Sequence, residues 1–181
     1  MRSPRILLAV ALIACAASPP PGPPDAFGET PVRAFVIEKE VVVGAPPEEA
    51  FDAFTGDVSG WWDHRFSETE PVRFEIEPRP GGRFLEIFDE RGDGLVHAQV
   101  TWADRGERLV FRGPLGAHGM AIDLVHDFTF AAHEDGTRLH ATISGLGAVT
   151  EQQVAGFDAV WDHFLAGRFV PYVASGGHRD R

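Results

Sequence analysis

Cysteine, tyrosine and lysine are each represented once in 181 residues. A single thiol closes no intramolecular disulfide, so the folded part must hold together through its core. Lys39 is the only lysine, the arginines are scattered, and no polybasic stripe exists. With a net charge of −11, this excludes nucleic acid as a partner, because phosphate binding needs clustered cations. No apolar run reaches the roughly 20 residues needed to span a bilayer. Also missing are a Gly-x-Ser-x-Gly elbow, a phosphate loop and a His-Glu-x-x-His helix. The glycine-rich stretch Gly113 to Gly119 lacks the following helix and lysine of a phosphate loop, and reads as a flexible rim loop. What is present is a globular composition, 44% hydrophobic and 24% charged, with fourteen Phe and four Trp to build an aromatic core. The length suits one ordinary domain and a short appendage.

The N-terminus supplies the appendage. Arg2 and Arg5 precede the apolar run Ile6 to Ala14, which has the length of a signal-peptide core rather than of a membrane span. Leu12-Ile13-Ala14-Cys15 then resembles a bacterial lipobox, which makes Cys15 the expected lipidation site; plain secretion with cleavage at Ala14-Cys15-Ala16 is the alternative. Residues 1–14 are thus read as a signal peptide. Residues 15–33 are read as a lipidated, proline-rich linker, in which Ser18 to Pro24 favour an extended spacer. A START-like domain is expected over 34–174 and a flexible tail over 175–181.

Alternation of bulky and polar residues predicts a first strand over Ala34 to Val43. A helix opening at Pro46-Pro47 follows, with Glu48 and Glu49 in its first turn, then a second short helix over Val58 to Asp63. Six strands come next: Val72 to Glu77, Arg83 to Phe88, Leu95 to Trp102, Arg108 to Arg112, Met120 to Ala132 and Thr137 to Ser144. A two-residue turn at Asp135-Gly136 predicts that His133 faces Arg138 and Phe130 faces Ala141. Ile122, Leu124, Phe128, Phe130, Leu139, Ala141 and Ile143 then share the apolar face. A long helix over Thr150 to Val170 carries the stripe Val154, Phe157, Val160, Trp161, Phe164 and Leu165, with Gly156 and Gly167 as weak points.

This order, with the local sequences Val43-Gly44-Ala45-Pro46-Pro47-Glu48-Glu49-Ala50-Phe51, Trp61-Trp62, Pro80-Gly81-Gly82-Arg83-Phe84, Arg108-Leu109-Val110-Phe111, Gly136-Thr137-Arg138-Leu139 and Ser144-Gly145-Leu146, resembles the START-like, or SRPBCC, superfamily. Within it the chain is similar to the branch named after the activator of the heat-shock-protein ATPase, over roughly Ala34 to Tyr172. The resemblance implies an α+β helix-grip fold, a curved antiparallel sheet wrapped around a long C-terminal helix. It implies binding of a small apolar or amphipathic ligand, as in most members; some are cyclases, hydrolases or lipid-transfer modules. The founding activator's cytosolic chaperone is not carried over, because an exported chain does not meet it.

The expected ligand cavity lies between the sheet and the last helix. Phe74, Trp102, Phe111, Phe128, Phe157 and Trp161 are its candidate walls, His126 its main polar group, and Trp61 and Trp62 stand near its entrance. His126 is also the candidate acid or base of a cyclase- or hydrolase-like alternative, since imidazole titrates near neutral pH. A filled core would instead favour a protein-interaction module. His97, His133 and His140 are expected on the wet face of the sheet. Asp63 and His64 are adjacent on an expected helix, where side chains diverge, and nothing nearby completes a zinc set. No metal or other cofactor is expected.

The anchor is directly testable. Fatty-acid labelling should tag the protein, and Cys15→Ser should abolish the label and release a soluble or unprocessed form. Ala16 after the cysteine predicts the periplasmic face of the outer membrane. Unlabelled protein cleaved after Ala16 would refute lipidation.

Overall fold

The computed structural model describes residues 31–179. The expected signal peptide, Cys15, the proline-rich run and the last two residues lie outside them. Eight antiparallel strands form one sheet in the order β1-β8-β7-β6-β5-β4-β3-β2. They are β1 (Val32–Val43), β2 (Gly56–Asp57), β3 (Arg73–Ile76), β4 (Arg83–Ile87), β5 (Gly94–Asp104), β6 (Arg108–Arg112), β7 (Ile122–His133) and β8 (Gly136–Ala148). Helix α1 (Pro47–Phe54) follows β1. The chain closes with α2 (Glu151–Asp162), a π-helical segment (His163–Phe169) and α3 (Val170–Ala174), which run on as one helix of 24 residues. This is the helix-grip architecture.

Each helix starts where local chemistry allows. Pro47 occupies the first turn of α1, where a missing N–H costs nothing, beside Glu48 and Glu49. At α2 the Thr150 hydroxyl accepts from the Gln153 N–H while the Gln153 side chain accepts from the Thr150 N–H, a reciprocal capping box. Gly156 and Gly167 do not end the helix. Instead the turn widens: the Val170 N–H reaches back to the Leu165 carbonyl, five residues earlier. The wide turn ends just before Pro171, which has no N–H to continue an α-helical ladder.

The expected second helix over Val58 to Asp63 is not there. Val58 pairs with Phe74 through its N–H (2.9 Å), and the N–H groups of Trp61 and Trp62 both return to the Val58 carbonyl (3.0 and 2.8 Å), which makes a tight turn after β2. The tail also differs from expectation. Gly177–Arg179 forms a 3₁₀ turn, with His178 Nε2 2.7 Å and Arg179 Nε 2.8 Å from Glu49 Oε1.

The β7–β8 register is displaced by two residues from the expected one. His133 pairs with Gly136 and Phe130 with Leu139, so Glu134 and Asp135 form the loop. Gly136 has φ 126°, and a Cβ there would come within 2.3 Å of the Val43 carbonyl. Because side chains alternate with period two, an even slip keeps each on its face. Leu124, Phe128, Phe130, Leu139, Ala141 and Ile143 are buried as expected, whereas Ile122, at the start of β7, is only partly buried.

Strand β5 breaks its own alternation twice. Phe84 pairs with Ala98 but Leu85 with Val96, leaving His97 as an extra residue; Val100 pairs with Phe111 but Trp102 with Val110, leaving Thr101 extra. Each bulge bends the strand and reverses which side the following residues face.

The helix packs its stripe into the hollow of the sheet. Trp161, Phe164, Leu165, Phe169 and Val173 are buried, while Val154, Phe157 and Val160 pack at the margin. Lys39, the sole lysine, ties β1 to α2 through Asp158 (2.9 Å) and Asp162 (2.7 Å). Trp161→Ala should therefore cost about 3–5 kcal/mol in urea unfolding; a loss below about 1 kcal/mol would show that the helix is not gripped by the sheet.

Candidate functional site

The interior between helix and sheet is aromatic. Phe111, His126, Phe128 and Trp161 form one group: the His126 ring lies 5.0 Å from Phe111 and 5.4 Å from Trp161, and Phe128 lies 5.3 Å from Trp161. Trp61 and Trp62 are each 1% exposed, so they belong to the core. Trp62 stacks on Phe164 at 3.7 Å, and Trp61 meets Phe54 and Phe169. The structure thus brings together six of the nine expected ligand residues (Trp61, Trp62, Phe111, His126, Phe128 and Trp161), packed ring against ring. Phe74, also buried, joins them through Trp62, with which it lines an open groove.

Two expectations are corrected. Trp102 is 51% exposed, on the outer side of the sheet under the Arg108 guanidinium at 5.2 Å, because the bulge at Thr101 turns it outward. Phe157 is only partly buried and stacks on Phe35 at 6.0 Å, at the margin of the interior.

A third correction adds a residue. The bulge that holds His97 turns it inward, so it is fully buried rather than on the wet face. It sits among Trp62, Phe66, Phe74 and Phe84, 3.2 Å from the equally buried Glu86. Glu86 accepts from the Phe66 N–H (3.0 Å) and the Ser67 hydroxyl (2.6 Å), which fastens the loop after Trp62 onto β4. The supposedly flexible rim loop closes the same corner. The Leu115 N–H donates to the His97 carbonyl (3.2 Å), Leu115 and Ala117 are buried, and Gly116 admits the Phe66 ring where a Cβ would lie 2.3 Å from it. The signal for Glu86 was in the sequence: it stands two residues after Phe84, on the inward phase of β4.

The polar atoms of this interior are not fully partnered. His126 Nδ1 and both ring nitrogens of His97 have no hydrogen-bond partner among the described residues, and Glu86 lies within reach of His97 but off the bonding angle. Burial drives His126 down to about 3, against a small opposing effect of the Phe111 main chain. Burial likewise lowers His97 to about 4, with the Glu86 charge opposing and His118 assisting.

The groove, of about 380 Å³, opens beside this corner, with Ser59, Asp63, Arg65, Glu70 and Arg73 as its polar lining. At its edge Asp63 Oδ1 lies 2.8 Å from both His64 Nδ1 and His163 Nε2, and Arg168 Nε is 3.2 Å from Oδ2. Burial pushes the Asp63 carboxyl up, but the hydrogen bonds of both histidines and the charge of Arg168 outweigh this and hold it below its ordinary value. Because Asp63 and His64 follow a turn and not a helix, they do not diverge, and His163 joins them from the last helix.

A curved sheet closed over an aromatic helix, with buried imidazoles on its concave side, defines a START-like domain. The model of the family described as activator of Hsp90 ATPase homolog 1-like protein matches residues 44–174, and the chain belongs to that family. A search of the curated proteins finds no match. Among solved structures, a Mesorhizobium loti protein is 21% identical with a TM-score of 0.57, covering 79% of this chain and 97% of its own. An AHSA1-like protein from Rhizobium etli is 23% identical with a TM-score of 0.55, covering 78% and 83%. One from Aeromonas hydrophila is 22% identical with a TM-score of 0.54, covering 80% and 95%. At these identities the likeness establishes the fold alone.

The buried imidazoles make stability pH-dependent. The unfolded chain protonates its histidines near pH 6.5, while the folded chain keeps His97 and His126 neutral to about 4 and 3. Their neutral burial costs nothing in this respect above pH 6.5, and stability falls as pH drops from there, by about 1.4 kcal/mol per pH unit for each imidazole. Urea unfolding at pH 7, 6 and 5 should show this slope, reduced by about one proton's worth in His126→Gln. An unchanged slope would mean that His126 titrates normally.

Proposed function

We propose that this domain binds a small amphipathic molecule within its aromatic interior, and that it does so as an exported, lipid-anchored protein on the periplasmic face. One observation carries the binding reading: two imidazoles buried among aromatic rings, each with an Nδ1 that has no hydrogen-bond partner among the described residues. An unpaired buried polar atom costs about 1–3 kcal/mol, and sites for small molecules typically combine apolar walls with a few polar groups that orient the ligand. His126 and His97 are those groups, Phe111, Phe128 and Trp161 supply apolar area, and the groove beside Trp62 and Phe74 is the side of entry. Since these rings lie in mutual contact, the ligand enters by displacing some of them. The export signal and Cys15 support the location.

The second reading, an interaction module, is favoured by the same filled interior together with the exposed apolar residues Val32 and Val36 on the edge strand β1 and Leu146 on its neighbour β8. The acid–base reading finds less support at His126, where burial and the Phe111 main chain are the influences on the imidazole and no charged group contributes among the described residues. The imidazole that faces a carboxylate is His97.

An apolar fluorescent probe should bind the full-length chain and be displaced by acyl or ring-bearing compounds. His126→Phe should weaken compounds with a polar head at least tenfold while leaving purely apolar ones within about threefold, in line with the loss of one buried polar contact. Absence of any displaceable probe binding would retire the ligand reading in favour of the interaction module.

A further inference from the structure

We propose that Asp63, His64 and His163 form a binding site for a divalent transition ion of the Zn²⁺ type, at the rim of the groove and separate from the aromatic interior. One donor atom from each residue lies within 4.8 Å of the other two. Ligand bonds of about 2.0–2.2 Å in tetrahedral geometry place donors about 3.3 Å apart, so shifts of about 1.5 Å or less bring the three onto one ion. The side chains are 34–39% exposed and free to make that adjustment. Two imidazoles and a carboxylate are a borderline donor set, suited to Zn²⁺, Co²⁺, Ni²⁺ or Cu²⁺ and unsuited to Mg²⁺ or Ca²⁺.

The fold holds these residues in place from independent directions. Trp62 Nε1 donates to the His64 carbonyl (2.7 Å), and the His64 ring rests on Phe164 at 4.8 Å, so the segment after the turn is pinned against the last helix. His163 is the first residue of the π-helical segment. A wide turn of this kind is a costly departure from the α-helix that recurs at functional sites, and here it begins at the residue that meets Asp63. Arg168, from the same segment, lies 3.2 Å from Oδ2, which His163 Nε2 also reaches at 3.0 Å, while Oδ1 is 2.8 Å from both histidines. The Arg168 charge orients the carboxylate but opposes a cation. Three protein donors leave at least one position open, as in catalytic rather than structural zinc sites. Asp63 also lines the groove with Arg65 and Arg73, so an anionic group there lies beside the ion.

The test uses the untagged full-length chain, stripped of metal with a chelator, in a Zn²⁺ titration against a chromophoric competitor. One equivalent should bind with micromolar or tighter affinity. The double variant His64→Gln/His163→Gln should lose at least thirtyfold, and Asp63→Asn at least tenfold. Arg168→Gln should tighten binding several-fold by removing the opposing charge. His133→Gln/His140→Gln, on the far side of the sheet, should leave it unchanged. Near-UV circular dichroism of each variant should match the parent, and Co²⁺ should give visible absorption in the parent that the double variant lacks. Absence of saturable one-to-one binding, or equal binding by the parent and the well-folded double variant, would overturn the proposal.

Discussion

Curvature is the constraint on which this molecule depends, and β5 supplies it. A flat eight-stranded sheet offers the helix a plane; one bent at two bulges offers a hollow, and only a hollow covers Trp161, Phe164 and Phe169 on several sides at once. The same two extra residues decide the chemistry. One bulge brings His97 inside to face Glu86, and the other sends Trp102 outside to Arg108. Without the first, the concave side would carry a single imidazole and Glu86 would lose the ring it faces.

The interior combines two unequal terms. Ring-on-ring contact is abundant, non-directional and tolerant of rearrangement, whereas the buried imidazoles are few and demanding. Charging either inside costs far more than leaving it neutral, which is why both are pushed well below the ordinary histidine range. An interior of this kind changes its packing more readily than its protonation.

How much of this was legible in the sequence divides along physical lines. Where alternation runs unbroken, as in β7 and β8, faces were read correctly even though the register was displaced by two residues. The helical stripe from Val154 to Leu165 was legible for the same reason, since its period survives until the π-helical segment. Alternation carries no mark of a bulge, so β5 was misread on both sides of its kinks: His97 was assigned to water and Trp102 to the core. The cluster at Asp63 was lost because a helix was assumed over Val58 to Asp63, where a turn follows the β2–β3 pairing, and because His163 stands a hundred residues away. The family likeness fixed the architecture but was silent on these local departures.

The sheet is also peculiar in time. Strand β1 pairs along its whole length with β8, Val32 against Ala148 and Val43 against Thr137, so the first of the described strands is completed by the last. Loop closure over that span is slow compared with the hairpins that build β3 to β8 from near neighbours. Val32, Val36 and Val42 stay exposed even with β8 paired alongside, so what β8 gives β1 is its hydrogen-bonded ladder rather than cover for these side chains. Joining β1 to β8 is thus the longest-range pairing in a sheet whose other strands all pair with sequence neighbours.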